Sequence, residues 1–590
     1  MNEEKARKRI AILGAGPSGL FMYKRLVEAN RSDWEIDIFD KNSQLGAGMP
    51  YSQEGANEEH VTNVSSNEVP DLVTSLEEWL QTLPQAMLDR YGIDPQKFTE
   101  YKVVPRLLFG NYLAAQFDLL LEQANKLGIS TRVHFSSAIT DITDQPDHQQ
   151  VVVTVNGRDV FAFDQVILCT GHHWPKKHEG TVRNYFDSPY PPAKLILPLN
   201  HTVAIRGSSL TAIDAIRTLA RNNGTFITQP DGKLSFQADT SSPDFKLVIH
   251  SRGGFLPTIR FHLEESLLSK DALLTTEEIA AERARNDGFL PLDYVFEKNF
   301  KEVLRSKDPG LYEQIKAMRL EEFVDMMMDP RERLEAFELF KIEYREAQQS
   351  IQRQESISWK ELLAELSYTM NYPAKYFSAE DMLRLQKVLM PLIAIVIAFV
   401  PQRSAQELLA LHQADRLSII SVGSDSEVEP EKNGGATVRY TSEDNQLQVM
   451  YYQTFVDCIG QPHLPFEDFP FKSLIDARSV SPARLRFRSA QEGEMERIAD
   501  TNRVEQGLTG DFYLKVPGLA INDHFQVVDA NQVANPRIYM MAVPYMGGYN
   551  PDYSGLDFCD TASERILNRL LELQDCAELM DHKFDIPETT

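Results

Sequence analysis

A glycine-rich turn directly after the first apolar run constrains this chain more than any other feature. The run Arg9–Leu13 is of strand type, and the turn over 14–19 reads Gly-Ala-Gly-Pro-Ser-Gly and leads into a helical pattern. Gly14 permits a tight turn, Gly16 lets a pyrophosphate approach the backbone, and Gly19 lets the helix pack closely on the strand. The free N–H groups and the dipole of the helix favour an anion at this end. The turn therefore predicts a dinucleotide-binding unit, with a purely structural glycine turn as the alternative.

A carboxylate follows this turn at the spacing that ribose recognition needs. The next strand, Glu35–Phe39, ends on Asp40, roughly twenty residues after the last glycine. We expect Asp40 to accept hydrogen bonds from ribose hydroxyls. The residues assigned to the first dinucleotide on this basis are Gly14, Gly16, Pro17, Ser18, Gly19, Asp40 and the adjacent Lys41.

A second, imperfect turn follows the strand His201–Arg206 and reads G-x-S-x-x-A from Gly207. Ser209 replaces the middle glycine, and its side chain would crowd a pyrophosphate, so a structural strand-turn-helix is the alternative. The following strand, Phe245–His250, leads to Arg252 instead of an acidic residue. Because an arginine there can pair with a 2′-phosphate, we predict that Gly207, Ser208, Ser209 and Arg252 contact NADPH.

Two such turns make the chain similar to flavoprotein oxidoreductases with two dinucleotide-binding domains, FAD first and NADPH second. Further segments resemble a bacterial FAD/NAD(P)-binding family, and these are Gly46–Ser52, His60–Val64, Val104–Leu113, Gly207–Asp214 and Ser251–Pro257. The resemblance implies that Met49, Tyr51 and Ser52 lie near the flavin and that Arg106 lies near its diphosphate or adenosine half. A plain loop and a solvated arginine at a helix end are the alternatives. Asn63 and Ile139 complete the FAD contacts that the resemblance implies.

A weak internal repeat supports the same architecture. Ile129–Gly171 and Leu417–Gly460 each run through a strand, a polar loop, a hairpin pattern and an apolar strand that meets a glycine. In the flavoproteins that the chain resembles, such glycines lie where the chain crosses between domains and the backbone nears a cofactor. Thr170, Gly171 and Gly460 are therefore candidate cofactor contacts, with ordinary hairpins as the alternative.

The C-terminal part is expected to return to the flavin. Pro536–Val543 has strand character, and Gly547-Gly548 and a helix from about Ser554 to Leu571 follow it. The resemblance implies that this helix points its N-terminus at the pyrimidine end of the flavin, which makes Gly548 and Ser554 candidate contacts. Val543-Pro544 stands where many related flavoproteins have Gly-Asp, a departure at the ribityl contact.

These patterns predict a mixed α/β fold with two Rossmann-like dinucleotide-binding domains and a large helical insertion. We assign 1–200 plus 480–590 to the FAD domain, 201–262 plus 415–479 to the NAD(P) domain and 263–414 to the insertion. The insertion, with helical runs such as Thr276–Arg285 and Leu311–Met328, is either a substrate-side cap or a stabilising layer. Its most apolar stretch, Val388–Val400, is too short for a membrane span of about twenty residues. This stretch is interpreted as a buried helix, which could also line a hydrophobic pocket.

Composition excludes several classes of protein. The net charge of −26 argues against binding to nucleic acid or to anionic membranes. The charged segment 1–8 leads directly into the first strand without signal-peptide character, so a cytoplasmic location is expected. The four cysteines form no C-x-x-C pair and no metal-ligand spacing is visible, which argues against a dithiol redox centre and a metal site.

The function expected is that of an FAD-dependent, NADPH-using oxidoreductase, in particular a monooxygenase acting on a small molecule with O₂. Tyr185–Tyr190 lacks the F-x-G-x-x-x-H pattern of flavin-containing and Baeyer–Villiger monooxygenases and is closer to amine N-hydroxylases. A reductase for a quinone or protein acceptor and a non-catalytic flavin-binding scaffold remain alternatives. No catalytic side chain, substrate or oligomeric state is assigned, because fold and cofactor do not specify the reaction.

Overall fold

The computed structural model describes residues 7–172, 174–263, 274–461, 463–551 and 555–584, with the side chains of 576–584 left out. The first unit of the fold is a six-stranded sheet whose inner strands are buried on both faces, as is usual for a parallel sheet. Five strands are parallel, and the edge strand Gln526–Val528 is antiparallel. The order across the sheet is Gln526–Val528, Ala534–Met540, Gln165–Leu168, Lys8–Leu13, Trp34–Phe39 and Ser130–His134.

Helices that contact one another pack against this first sheet, and a small antiparallel sheet contacts its central strands. The helices of this unit are Pro17–Glu28, Leu76–Gln81, Gln85–Tyr91, Arg106–Leu127 and Leu556–Phe584, and the strands of the antiparallel sheet are Ile139–Gln145, Gln150–Val155 and Asp159–Phe163. The last helix, predicted to end near Leu571, extends to Phe584.

The second unit is a five-stranded, wholly parallel sheet. Its order is Leu417–Ser421, Lys246–Ser251, Thr202–Arg206, Thr454–Asp457 and Tyr185–Phe186. Elements packed around it are the helices Leu210–Arg221 and Gln402–Gln413, the hairpin Gly224–Thr228 and Leu234–Ala238, and the three-stranded sheet Glu427–Pro430, Ala436–Thr441 and Leu447–Tyr452. This three-stranded sheet matches the one in the first unit in its place along the chain, which confirms the repeat.

The third unit is helical. Its helices are Thr276–Arg285, Leu292–Phe296, Glu302–Lys307, Pro309–Ile315, Leu320–Arg333, Ala336–Arg353, Ser358–Thr369, Ala379–Arg384 and Met390–Val396. Leu392, Ile393 and Val396 are fully buried, which confirms the prediction of a buried helix in the most apolar stretch. Of the helices in the described ranges, none has the length and hydropathy that crossing a bilayer requires.

A late segment of the chain shares its core with this helical unit. The strands Pro482–Arg486, Val504–Gln506 and Phe512–Leu519 form a sheet, which is flanked by the helix Ala490–Ala499. Leu485, Phe512 and Leu514 belong to the same hydrophobic cluster as Phe300 and Leu366 of the helical unit. The helical unit is therefore packed against residues 482–519, which follow its last helix, Met390–Val396, along the chain.

Candidate cofactor-binding site

The first glycine turn has the backbone that its sequence predicts. Gly14 has φ of +105°, and a Cβ atom there would lie 2.5 Å from the carbonyl oxygen of Cys169, so no other residue fits. Gly16 lies against Gly48, because a Cβ on Gly16 would come within 3.3 Å of the Gly48 Cα. Both glycines leave backbone exposed where a side chain would otherwise stand. This cradle suits the close approach of a diphosphate.

The helix that follows offers free N–H groups at its first turn. Pro17–Glu28 begins after an extended Gly16, and within the described residues its first turn has no acidic side chain and no side-chain cap. Ser18 Oγ lies 3.4 Å from Cys559 Sγ, which brings the first turn of the helix Leu556–Phe584 beside it. Burial raises the pKa of Cys559 to about 12, so it is present as a thiol. Two helix N-termini therefore meet at the turn, an arrangement that favours an anion.

Asp40 connects the second strand to the glycine turn. Its Oδ2 accepts a hydrogen bond from the Ala15 N–H at 2.8 Å, and its Oδ1 accepts one from the Asn42 N–H at 2.8 Å. Each oxygen keeps a further lone pair, so the ribose contact stays a prediction. Lys41 is exposed, and its Nζ lies 3.6 Å from Glu54.

The loop with Met49, Tyr51 and Ser52 folds on itself next to the turn. Ser52 Oγ donates a hydrogen bond to the Met49 carbonyl at 3.2 Å, and the Tyr51 ring meets Phe109 edge-on at 5.0 Å. Burial raises the pKa of Tyr51 to about 12 and keeps the phenol neutral. Ile139, assigned to the same cofactor, starts the strand Ile139–Gln145 and is half-buried. The structure thus brings Met49–Ser52 close to Gly16 through Gly48.

Arg106 is bound to the second unit. Its Nη1 donates to Asp214 Oδ2 at 2.5 Å and its Nε donates to the Val61 carbonyl at 3.0 Å. The two side chains are only 14% and 6% exposed, and Tyr190 donates a further hydrogen bond to Asp214 at 2.9 Å. Burial acts to raise the pKa of Asp214, but the charge of Arg106 together with the hydrogen bonds from Arg106 and Tyr190 holds that pKa below its usual range. The predicted contact of Arg106 with FAD stays a prediction, and the structure adds its role in a buried ion pair.

Two further contacts join the same units. His60 is fully buried, accepts the Asn57 N–H at its Nδ1, and donates from Nε2 to Thr218 Oγ1 at 3.1 Å. Burial lowers the pKa of His60, so the ring is neutral. Arg260 of the second unit binds both Glu68 and the carbonyl of Asn63. Arg106–Asp214, His60–Thr218 and Arg260–Glu68 are called the interdomain contacts below.

The second glycine turn repeats the geometry of the first. Gly207 has φ of +103°, and a Cβ there would lie 2.7 Å from the Cys458 carbonyl oxygen, just as Gly14 faces Cys169. The residues after these cysteines are the predicted crossover contacts, Thr170 with Gly171 and, in the second unit, Gly460, whose φ is +89°. The equivalent glycine–carbonyl contacts place both crossovers directly beside the two turns.

The residues predicted to contact NADPH lie at the ends of adjacent parallel strands. Ser208 is half-buried, and Ser209 is exposed at the N-terminus of Leu210–Arg221 without a side-chain cap in the described structure. Arg252 is exposed just beyond Lys246–Ser251, the neighbour of Thr202–Arg206. Because the Ser209 side chain reaches solvent, it is not wedged into the turn. An exposed guanidinium at this position beside the turn is suited to bind the 2′-phosphate of NADPH.

At the C-terminal return, Gly548 is buried against another strand. Its N–H donates to the Pro517 carbonyl at 2.9 Å, and a Cβ there would lie 2.6 Å from the Val516 side chain. The structure thus gives Gly548 a packing role and leaves its cofactor contact a prediction. Ser554 lies outside the described residues.

Sequence reasoning missed the partners of the interdomain contacts. Three charged residues were not singled out, although each is less than a tenth exposed in the structure. They are Asp214, Glu68 and Arg260. Asp214 does carry a local signal, because it interrupts the apolar pattern of a helix that packs on a sheet. The described ranges contain no group of three His, Cys, Asp or Glu side chains that could hold a metal ion.

Parts of this chain are similar to known families and proteins that bind FAD and NAD(P). Residues 11–173 match the FAD-NAD(P)-binding family, and residues 275–397 match the YdhS-like middle domain. The uncharacterised protein YdhS of Escherichia coli K12 is 29% identical over 474 residues, which cover 79% of this chain and 86% of that protein. Mouse flavin-containing monooxygenase 1 is 28% identical over 173 residues, 28% of this chain and 27% of that enzyme.

Among solved structures, the FAD-bound cadaverine monooxygenase of desferrioxamine biosynthesis from Erwinia amylovora covers 96% of this chain and 94% of its own at 11% identity and a TM-score of 0.45. The sequence matches indicate dinucleotide binding. The paired glycine turns and the two parallel sheets indicate the same. The chain therefore contains an FAD-NAD(P)-binding domain over 11–173 and a YdhS-like middle domain over 275–397, and it is similar to flavoproteins that bind FAD and NAD(P).

Proposed function

We propose that the first turn binds the diphosphate of FAD and that the second binds NADPH. Hydride passes from NADPH to FAD, and the two electrons then pass to O₂, of which one oxygen atom is added to a small-molecule substrate and the other leaves as water. The observation that carries this proposal is the pair of equivalent turns at Gly14 and Gly207, each set against the carbonyl of a crossover cysteine. The match of residues 11–173 to an FAD-NAD(P)-binding family supports the assignment of FAD to the first turn. The similarity to a flavin-containing monooxygenase supports the step with O₂.

In this proposal the chain positions the cofactors, which supply the redox chemistry when bound. The N–H groups at the start of Pro17–Glu28 hold the FAD diphosphate, and Asp40 orients the adjacent ribose. Ser208 and the N–H groups of Leu210–Arg221 hold the second diphosphate, and Arg252 pairs with the 2′-phosphate. The interdomain contacts hold the second sheet against the first, so the two sites keep one relative orientation.

Purified protein is expected to be yellow and to lose its visible flavin absorbance when NADPH is added without oxygen. Readmission of air restores the absorbance if O₂ is the acceptor. NADPH oxidation measured with and without an added quinone separates the monooxygenase from the acceptor reductase, since only the reductase depends on the quinone. Protein that stays colourless after incubation with FAD would contradict the proposal.

Arg252→Gln is expected to raise KM for NADPH at least about tenfold and to leave KM for NADH nearly unchanged, because the variant loses a charge pair with the 2′-phosphate. Steady-state oxidation of both nucleotides measures the change. Arg439→Gln is the matched control, since Arg439 pairs with Glu429 on the three-stranded sheet of the second unit. Equal rises in KM for both nucleotides would argue against recognition of the 2′-phosphate by Arg252.

A further inference from the structure

A short turn of the helical insertion holds two tyrosine rings, and each ring carries an arginine from another element. Tyr372 and Tyr376 lie four residues apart, at the single helical turn Pro373–Tyr376. The guanidinium carbon of Arg565, from the last helix, lies 3.7 Å from the centre of the Tyr372 ring. The guanidinium carbon of Arg283, from the first helix of the insertion, lies 3.9 Å from the centre of the Tyr376 ring. The two stacking contacts fix two positive charges beside one short turn.

A third cation belongs to the same turn. Lys375 Nζ lies 2.5 Å from Asp523 Oδ1 and 5.5 Å from the centre of the Tyr376 ring, and the lysine side chain is only 10% exposed. Burial lowers the pKa of Lys375, and the charges of Arg565 and Arg283 act in the same direction, whereas Asp523 opposes them. The three cations therefore lie close enough to repel one another. Arg283, Lys375 and Arg565 are called the cation cluster below.

Of these three cations, Lys375 alone has a carboxylate partner among the described residues. That partner, Asp523, also accepts a hydrogen bond from the Tyr376 hydroxyl at 2.6 Å. Arg283 donates to the carbonyl of Gly288 at 3.0 Å, which carries no charge. The neighbouring His524 adds no charge, because burial lowers its pKa. Two guanidinium charges thus stay unpaired, although the acidic side chains of the chain outnumber its basic ones by 26.

The cation cluster is separate from the first glycine turn and open to solvent. Arg565 follows Leu556, the first residue of the last helix, by nine residues, which is about 13 Å along the helix axis. Arg283 and Arg565 are half-buried, and the side chain of Asp523 is 44% exposed. A ligand can therefore reach the cluster from solvent, and an anion held there is distinct from a diphosphate at the first turn.

We propose that the cation cluster binds a doubly charged oxyanion of the phosphate type, either free phosphate or a phosphate monoester, and that this ligand joins the helical insertion to the last helix. The two guanidinium groups offer paired N–H donors that match phosphate oxygens, and the ammonium group of Lys375 adds a point charge. A dianion cancels the two unpaired charges of the cluster, whereas a chloride ion cancels one. The repulsion among the three cations is relieved when the ligand binds.

The test is calorimetric titration of the purified protein, incubated with FAD, with inorganic phosphate at constant ionic strength. Arg565→Gln and Lys375→Met are each expected to weaken phosphate binding at least about tenfold, because each variant removes a charged hydrogen-bond donor. Arg333→Gln is the matched control and is expected to bind phosphate like the unaltered protein, since Arg333 of the insertion pairs with Asp329. Arg252→Gln is the second control, because it affects only phosphate bound at the second glycine turn.

Thermal unfolding gives a second readout. Phosphate is expected to raise the midpoint of the unaltered protein more than chloride does at the same ionic strength, and Arg565→Gln is expected to lose this difference. Glycerol phosphate, titrated in parallel, distinguishes the two sources of the ligand: tighter binding than that of inorganic phosphate identifies a monoester, and weaker binding identifies free phosphate.

Three results would overturn the inference. The first is an unaltered protein that binds neither inorganic phosphate nor glycerol phosphate. The second is phosphate binding by Arg565→Gln and Lys375→Met that is as tight as binding by Arg333→Gln. The third is a loss of phosphate binding in Arg252→Gln alone, which would assign the bound phosphate to the second glycine turn.

Discussion

Arg106→Met is expected to lower the free energy of unfolding by about 3–5 kcal/mol, because it leaves Asp214 as a buried charge without its partner. Asp214 would keep the hydrogen bond from Tyr190, but that phenol carries no charge to offset the carboxylate. Urea unfolding followed by far-UV circular dichroism measures the change. The same variant is expected to loosen the junction between the two sheets, because Arg106 and Asp214 lie on opposite sides of it.

The chain offers a matched control for this prediction. Arg90 pairs with Glu58 at 2.6 Å, but both side chains are more than half exposed. Arg90→Met is therefore expected to leave the free energy of unfolding nearly unchanged. The double variant Arg106→Met with Asp214→Leu removes both buried charges and is expected to recover much of the loss. If Arg106→Met were no more destabilising than Arg90→Met, the pair would not contribute to the interface as argued.

Gly14→Ala is expected to abolish FAD binding and to destabilise the protein by several kcal/mol. A methyl group at this position would overlap the Cys169 carbonyl oxygen, and the φ of +105° is strained for any L side chain. The ratio of flavin absorbance to protein absorbance in the purified protein measures binding, and urea unfolding measures stability.

Gly92→Ala separates the strain from the steric overlap. Gly92 has φ of +64°, and a Cβ there meets no atom within 4 Å. This variant is expected to cost about 1–2 kcal/mol and to retain FAD. A Gly14→Ala protein that remained yellow and as stable as Gly92→Ala would contradict the close packing of the first turn.

The first glycine turn and Asp40 could be predicted from the sequence, because their geometry depends on residues close together in the chain. A tight turn needs glycine at a fixed offset from its strand, and the spacing from Gly19 to Asp40 reflects one helix and one strand. The second unit was predicted despite Ser209, because the strand pattern and Arg252 surround it. In both turns the residue types at neighbouring positions determine the backbone that the structure shows.

Contacts between distant segments could not be predicted in the same way. Arg106 and Asp214 are 108 residues apart, and nothing in either neighbourhood specifies the other. The insertion shows a similar limit, since the helical run predicted over Leu311–Met328 is divided into Pro309–Ile315 and Leu320–Arg333. Helical periodicity alone does not show where tertiary packing turns the chain.

The shared core of the helical unit determines what can be exchanged between relatives. Leu485, Phe512 and Leu514 complete the hydrophobic cluster of helices that precede them in the chain. A YdhS-like middle domain cut out at its sequence boundaries would leave that apolar surface facing water. A helical unit that is transferred to another flavoprotein, by evolution or by protein engineering, must therefore be transferred together with residues 482–519, because the two segments share one core.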